Sequence, residues 1–139
     1  MMYMNSYAPT IYTGEPMAED TLLRDIVKYL DDKKAEDIEI FKIAEKSSLA
    51  DYLVIATANS NTHANALADF ILQELKGQQI QPYGLDGYKV SKWICVDFGS
   101  ILLNIMCEDE RNYYNLESIW GGCTKIDASQ FFEAPQKNA

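Results

Sequence analysis

Trp93-Ile94-Cys95-Val96-Asp97-Phe98-Gly99-Ser100-Ile101-Leu102-Leu103-Asn104-Ile105-Met106 is the stretch whose reading decides the fold. With Phe98 and Gly99 at the centre of a tight turn, Asp97 falls opposite Ser100, Cys95 opposite Leu102 and Trp93 opposite Asn104 across a β-hairpin. Directly opposed residues share a face. One face then carries only aliphatic side chains, Ile94, Val96, Ile101, Leu103 and Ile105, and the pattern predicts that it is core. Burying them at about 1.5–3 kcal/mol each gives a gross term of roughly 10 kcal/mol, enough to fix the register before chain entropy is subtracted. The other face carries Trp93, Cys95, Asp97, Ser100, Leu102, Asn104 and Met106. An aromatic, a thioether and small polar groups make the composition of a protein-contact surface, without a cluster of catalytic types.

Working outward from the hairpin, Asp51 to Ala58 is a near-continuous apolar run that suits a central strand buried on both sides. Asn59 or Ser60 then caps a helix that turns Ala64, Leu67, Ala68, Ile71, Leu72 and Leu75 inward and stops at Gly77. Strand, helix, strand in this order implies a crossover and some parallel pairing. Gln81 to Gly87 reads as the turn-rich delivery to the hairpin. Upstream, Leu22, Leu23, Ile26, Val27 and Leu30 form one face of a helix starting near Glu19, and Asp37 to Ala44 reads as a strand with both faces partly covered. Downstream, Glu108 to Trp120 reads as a short helical element ended by Gly121-Gly122. The result is an α/β (α+β) domain, a single mixed β-sheet with a central hairpin flanked by helices. Residues Met1 to Met17 lack periodicity and read as a flexible N-terminal arm, and residues 123–139 read as a loosely attached C-terminal tail.

The length of 139 residues and a hydrophobic fraction of 47% suit one domain with a real core. Twelve basic residues against twenty-one acidic ones give a formal charge of -9, which disfavours direct nucleic-acid binding and favours a basic protein as partner. No apolar run is long enough to span a membrane and no signal-peptide order is present, so the expected compartment is the cytoplasm. The three cysteines, Cys95, Cys107 and Cys123, lack the paired spacing of a zinc site and are expected as reduced structural thiols. His63 is the only histidine and sits in a helix's first turn, where a structural role is expected and neither a metal nor a catalytic one. No cofactor is expected.

Lys46-Ser47-Ser48, Asp51-Tyr52-Leu53-Val54-Ile55-Ala56-Thr57, Asn59-Ser60, His63 and Ala66-Leu67-Ala68-Asp69 form one block of motifs. Asp86-Gly87, Trp93, Asp97-Phe98-Gly99 and the run from Arg111 to Trp120 form a second. In order and spacing the two resemble the ribosomal silencing factor family, also called RsfS or Iojap-related, over roughly Leu22 to Gly121, which sets the family-like domain at 18–122. That family usually has Glu-Gly at Asp86-Gly87 and a histidine at Asn104. The resemblance implies a nucleotidyltransferase-like fold without enzymatic activity. It implies a factor that binds the large ribosomal subunit through its L-fourteen-type protein and keeps the small subunit from joining, repressing translation.

The candidate partner-binding residues are Trp93, Asp97, Leu102, Asn104, Met106, Arg111, Tyr113 and Tyr114. Each has a plainer reading. Trp93, Leu102 and Met106 can be packing residues, Asp97 a turn former, and Arg111 with the tyrosines an internal clasp. Two other functions compete: a homodimeric adaptor that uses the same face for its own copy, and an enzyme acting on a nucleotide. The enzyme lacks the phosphate cradle and spaced carboxylates its chemistry requires.

Overall fold

The computed structural model describes residues 18–132. In chain order the elements are α1 (Ala18–Asp32), β1 (Glu36–Phe41), β2 (Tyr52–Ala58), α2 (Asn61–Gly77), β3 (Gly84–Asp86), β4 (Trp93–Asp97), β5 (Ile101–Cys107), α3 (Glu108–Tyr114), α4 (Leu116–Trp120) and β6 (Lys125–Ile126). Short 3-10 turns occupy Ile43–Glu45 and Ala128–Phe131. The strands form a single mixed sheet in the order β3-β4-β5-β2-β1-β6. β2 and β5 are parallel neighbours at its centre, and every other pairing is antiparallel. Among the described residues no helix is long and apolar enough to cross a membrane.

Side-chain alternation divides the sheet into two cores. Ile94, Val96, Ile101, Leu103 and Ile105 are all fully buried in the larger one, with Val54, Ala56 and Ala58 of β2 and Ile40 of β1. α1 and α2 close this core through Leu23, Ile26, Val27 and Leu30, and through Leu67, Ala68, Ile71 and Leu75. The opposite face holds a smaller core of Phe41, Ile43, Ala50, Leu53, Ile55 and Met106, over which Leu116 and Trp120 of α4 pack.

α2 starts where the sequence places it. Ser60 is the N-cap, its hydroxyl accepting the His63 N–H at 3.0 Å. His63 in turn accepts the Asn59 N–H at Nδ1 (3.0 Å), and its Nε2 lies 2.8 Å from the Lys33 carbonyl. With Nδ1 accepting, Nε2 carries the ring proton and donates it to Lys33. The single histidine thus ties the start of the α1–β1 connection to the start of α2. Ser60→Ala removes one of the bonds that satisfy the free N–H groups of the first turn. It is expected to cost about 1 kcal/mol, read as a shifted urea midpoint at unchanged slope.

Four sequence expectations are corrected. The hairpin pairs Asp97 with Leu102, Cys95 with Asn104 and Trp93 with Met106, two residues away from the expected register. Phe98, just past the end of β4, still bonds across the hairpin, its N–H reaching the Ile101 carbonyl at 2.9 Å, and its side chain is buried. The turn centre therefore moves to Gly99 and Ser100, with Gly99 at φ +86° where glycine is favoured. A two-residue slip preserves parity, so the face assignment survives it. Gly84–Asp86, expected as turn, is a short edge strand on β4. The strand expected to run to Ala44 ends at Phe41 and gives way to a 3-10 turn.

The fourth correction concerns the stretch read as a tail. Its first part belongs to the domain, because β6 pairs with β1, Cys123 and Ala128 are buried, and Phe131 and Phe132 pack on the larger core. The expected arm at 1–17 and the rest of the tail from 133 lie outside the described residues.

Candidate functional site

The site is built on the face of β4 and β5 opposite the helices α1 and α2. Trp93 is half-buried and donates its indole Nε1–H to Asn104 Oδ1 at 2.8 Å. The amide oxygen thus holds the ring in one orientation, a role that asparagine fills without an imidazole. The Trp93 ring lies 4.8 Å from Tyr114, tilted by 48°, and Tyr114 meets Tyr113 edge-on at 5.0 Å. Three aromatic rings in sequence end in Tyr113, which is 82% exposed. Such ring pairs add roughly 0.5–1.5 kcal/mol each beyond area burial and hold a contact surface rigid in advance of binding.

Asp97 closes the hairpin turn, its Oδ1 accepting the Gly99 N–H at 2.8 Å, and stays half-buried beside the part-exposed Leu102. Three candidates lie beneath the surface. Met106 is fully buried in the smaller core and Asn104 is only 3% exposed. Arg111, 7% exposed, donates from Nη1 to the Asp37 carbonyl (2.6 Å) and Thr57 Oγ1 (2.8 Å), and from Nε to Glu117 Oε2 (2.7 Å). The clasp reading of Arg111 is therefore the correct one, and the tyrosines split from it by facing outward. Asn104 and Met106, expected to make direct contact, are covered within this chain, and Arg111 is turned inward from α3. α3 and α4 fold back over that half of the sheet face, and strand alternation carries no information about what covers a face.

Two residues that shape the site were missed. Glu117, six positions after Arg111, is not on a common helical face with it; the left-handed Asn115 (φ 50°) breaks the element into α3 and α4 and brings the two charges together. Ile119, 61% exposed on α4, extends the apolar part of the surface.

Two of the three thiols sit where their reactivity is lowered. Burial pushes the Cys95 thiol up, with the carboxylates of Asp97 and Asp86 adding to the effect, and burial with the nearby Glu110 does the same for Cys107. Both thiols are therefore held in the protonated, poorly nucleophilic form at neutral pH. A cleft of about 470 Å³ at the ends of β2 and β5 is lined by Glu36, Glu108, Asp109 and Glu110 against Lys92. That balance repels phosphate groups.

The family model described as "Ribosomal silencing factor during starvation" matches residues 16–139. The chain belongs to the RsfS family. The ribosomal silencing factor RsfS of Bacillus subtilis is 33% identical over 111 residues, 80% of this chain and 94% of the relative. A mouse protein named mitochondrial assembly of ribosomal large subunit protein 1 is 30% identical over 68% of this chain and 43% of its own length. A crystal structure of a Chromobacterium violaceum protein superposes with a TM-score of 0.72 at 29% identity, over 80% of this chain and 92% of that one. Within this RsfS chain the motif residues fall into three groups. Gly87 and Gly99 shape turns, Arg111 and Asn104 hold other side chains, and the half-buried Trp93 leads to the exposed rings of Tyr113 and Tyr114.

Proposed function

We propose that this chain silences translation sterically. It docks through Trp93, Asp97, Leu102, Tyr113 and Tyr114 on the L-fourteen-type protein of the large ribosomal subunit and leaves no room for the small subunit to join. The single observation that carries this reading is the aromatic row, braced from inside by Asn104 and open to solvent at Tyr113 and Tyr114. Aromatic residues held rigid at a surface are the residue type that dominates protein-protein binding energy. The formal charge of -9 supports a basic partner, since complementary fields speed encounter. Blocking a joining surface needs bulk and affinity and no bond chemistry. The relative named for large-subunit assembly supports the choice of subunit.

The test is co-sedimentation of the purified protein with isolated large subunits, paired with a subunit-joining assay. Tyr113→Ala, Trp93→Ala and Asp97→Lys are each expected to weaken co-sedimentation by about tenfold or more. Tyr113→Ala removes an exposed ring and should leave the melting transition in place. If all three variants co-sediment and block joining like the unmodified protein, the docking face lies elsewhere.

A further inference from the structure

We infer that Arg111 and Glu117 are positioning residues for docking: their ion pair, buried at Arg111 and half-buried at Glu117, locks α3 and α4 in the arrangement that presents Tyr113 and Tyr114. The inference rests on the proposed docking through this face. α3 and α4 span seven and five residues, and α4 has no buried residue. Helices this short do not hold themselves together and take their order from what they are fastened to. Leu116 and Trp120 supply apolar contact with the smaller core, and the polar fastening is Arg111.

Its guanidinium joins three segments of chain, and two of the residues around it have left-handed backbone. Asp37 adopts φ 49° where the β1–β2 register breaks between Glu36 and Glu39, and its carbonyl accepts from Arg111 Nη1. Asn115 adopts φ 50° between the two short helices, its N–H bonded to the Arg111 carbonyl. Aspartate and asparagine enter the left-handed region more readily than other non-glycine residues, so both bends suit the residues that make them.

An ion pair with one end open to solvent is a poor source of net stability, because screening weakens it and desolvating the buried end costs energy. What the planar guanidinium adds over a methionine is direction. Tyr113 and Tyr114 follow Arg111 by two and three residues, so the direction it imposes is transmitted to the Trp93–Tyr114–Tyr113 row.

The test uses the full chain with Arg111→Met/Glu117→Leu and, separately, Glu117→Gln, which keeps an acceptor for Nε. The double variant is expected to melt as the unmodified protein does. Its amides over 112–120 should exchange at least about tenfold faster with those of α2 unchanged, and it should bind large subunits about tenfold or more weakly. Glu117→Gln is expected to bind like the unmodified protein. Unchanged binding by the double variant overturns the inference. So does faster exchange spread evenly over the sheet, which marks a purely structural pair. If Tyr113→Ala weakens binding and the double variant does not, positioning fails and docking stands. If Tyr113→Ala, Trp93→Ala and Asp97→Lys all bind normally, docking through this face fails, and positioning for docking falls with it.

Discussion

Gly87→Ala is expected to lower the unfolding free energy by about 2–5 kcal/mol, the sum of a left-handed backbone penalty and a forced local displacement. Gly87 sits at φ +80° where the chain leaves β3, and a Cβ there would fall inside van der Waals contact of the Trp93 carbonyl oxygen, with the carbonyl carbon at 3.2 Å. The obstacle is backbone, which cannot swing aside as a side chain can. The Gly87 carbonyl is also engaged, accepting the N–H of Ser91 at 3.0 Å and of Val90 at 3.2 Å. Relief therefore requires β3, the connecting loop or Trp93 to move, so docking should weaken along with stability. Gly77→Ala is the control. Gly77 ends α2, and nothing lies within 4 Å of the place an alanine methyl group would take. Alanine there is expected to be neutral or to stabilise by up to about 1 kcal/mol. Urea titration of both variants decides the matter: a Gly87→Ala loss below about 1 kcal/mol would mean that the close approach to Trp93 is not a constraint.

Phe41→Ala is expected to cost about 3–5 kcal/mol. Phe41 is 1% exposed at the centre of the smaller core, packed with Ile43, Leu53, Ile55 and Met106 beneath Trp120, and Lys125 Nζ lies 5.7 Å from its ring centre. Truncation opens a cavity between the sheet and α4, which has no buried residue with which to collapse into it. Part of the loss should appear locally as faster amide exchange in α3 and α4, which lose their platform. The same measurement tests whether the second sheet face is truly closed. A cost under about 1 kcal/mol would show that the face is a loosely covered surface and that Met106 is free to meet a partner after all.

The parts of the fold that were legible follow from short-range regularity. Alternation in Ile94, Val96, Ile101, Leu103 and Ile105 named the core face of the hairpin and withstood a two-residue register error, since parity is the only thing that alternation encodes. The apolar run from Asp51 to Ala58 named the central strand, and Asn59 or Ser60 named the start of α2, where the structure selects Ser60; a side-chain oxygen three residues before a free N–H is a local device. The candidate site was legible in part. Trp93, Asp97, Tyr113 and Tyr114 are surface or half-surface residues on the expected face, while Asn104, Met106 and Arg111 serve them from within.

The sequence by itself determined which residues could be oily together: the two helix stripes, the central strand, the hairpin's aliphatic face and the turn glycines. Each is a matter of neighbours within a few positions along the chain. Only the tertiary structure decided which of the remaining side chains are exposed. That choice depended on β6 adding to β1, on α3 and α4 folding over half of the hairpin's second face, and on Arg111 joining Glu117, Thr57 and the Asp37 carbonyl from separate parts of the chain. The physical reason is that exposure is a property of what lies on top of a residue, and the covering segment is chosen by packing and paired charges brought together by the fold, which no local period records.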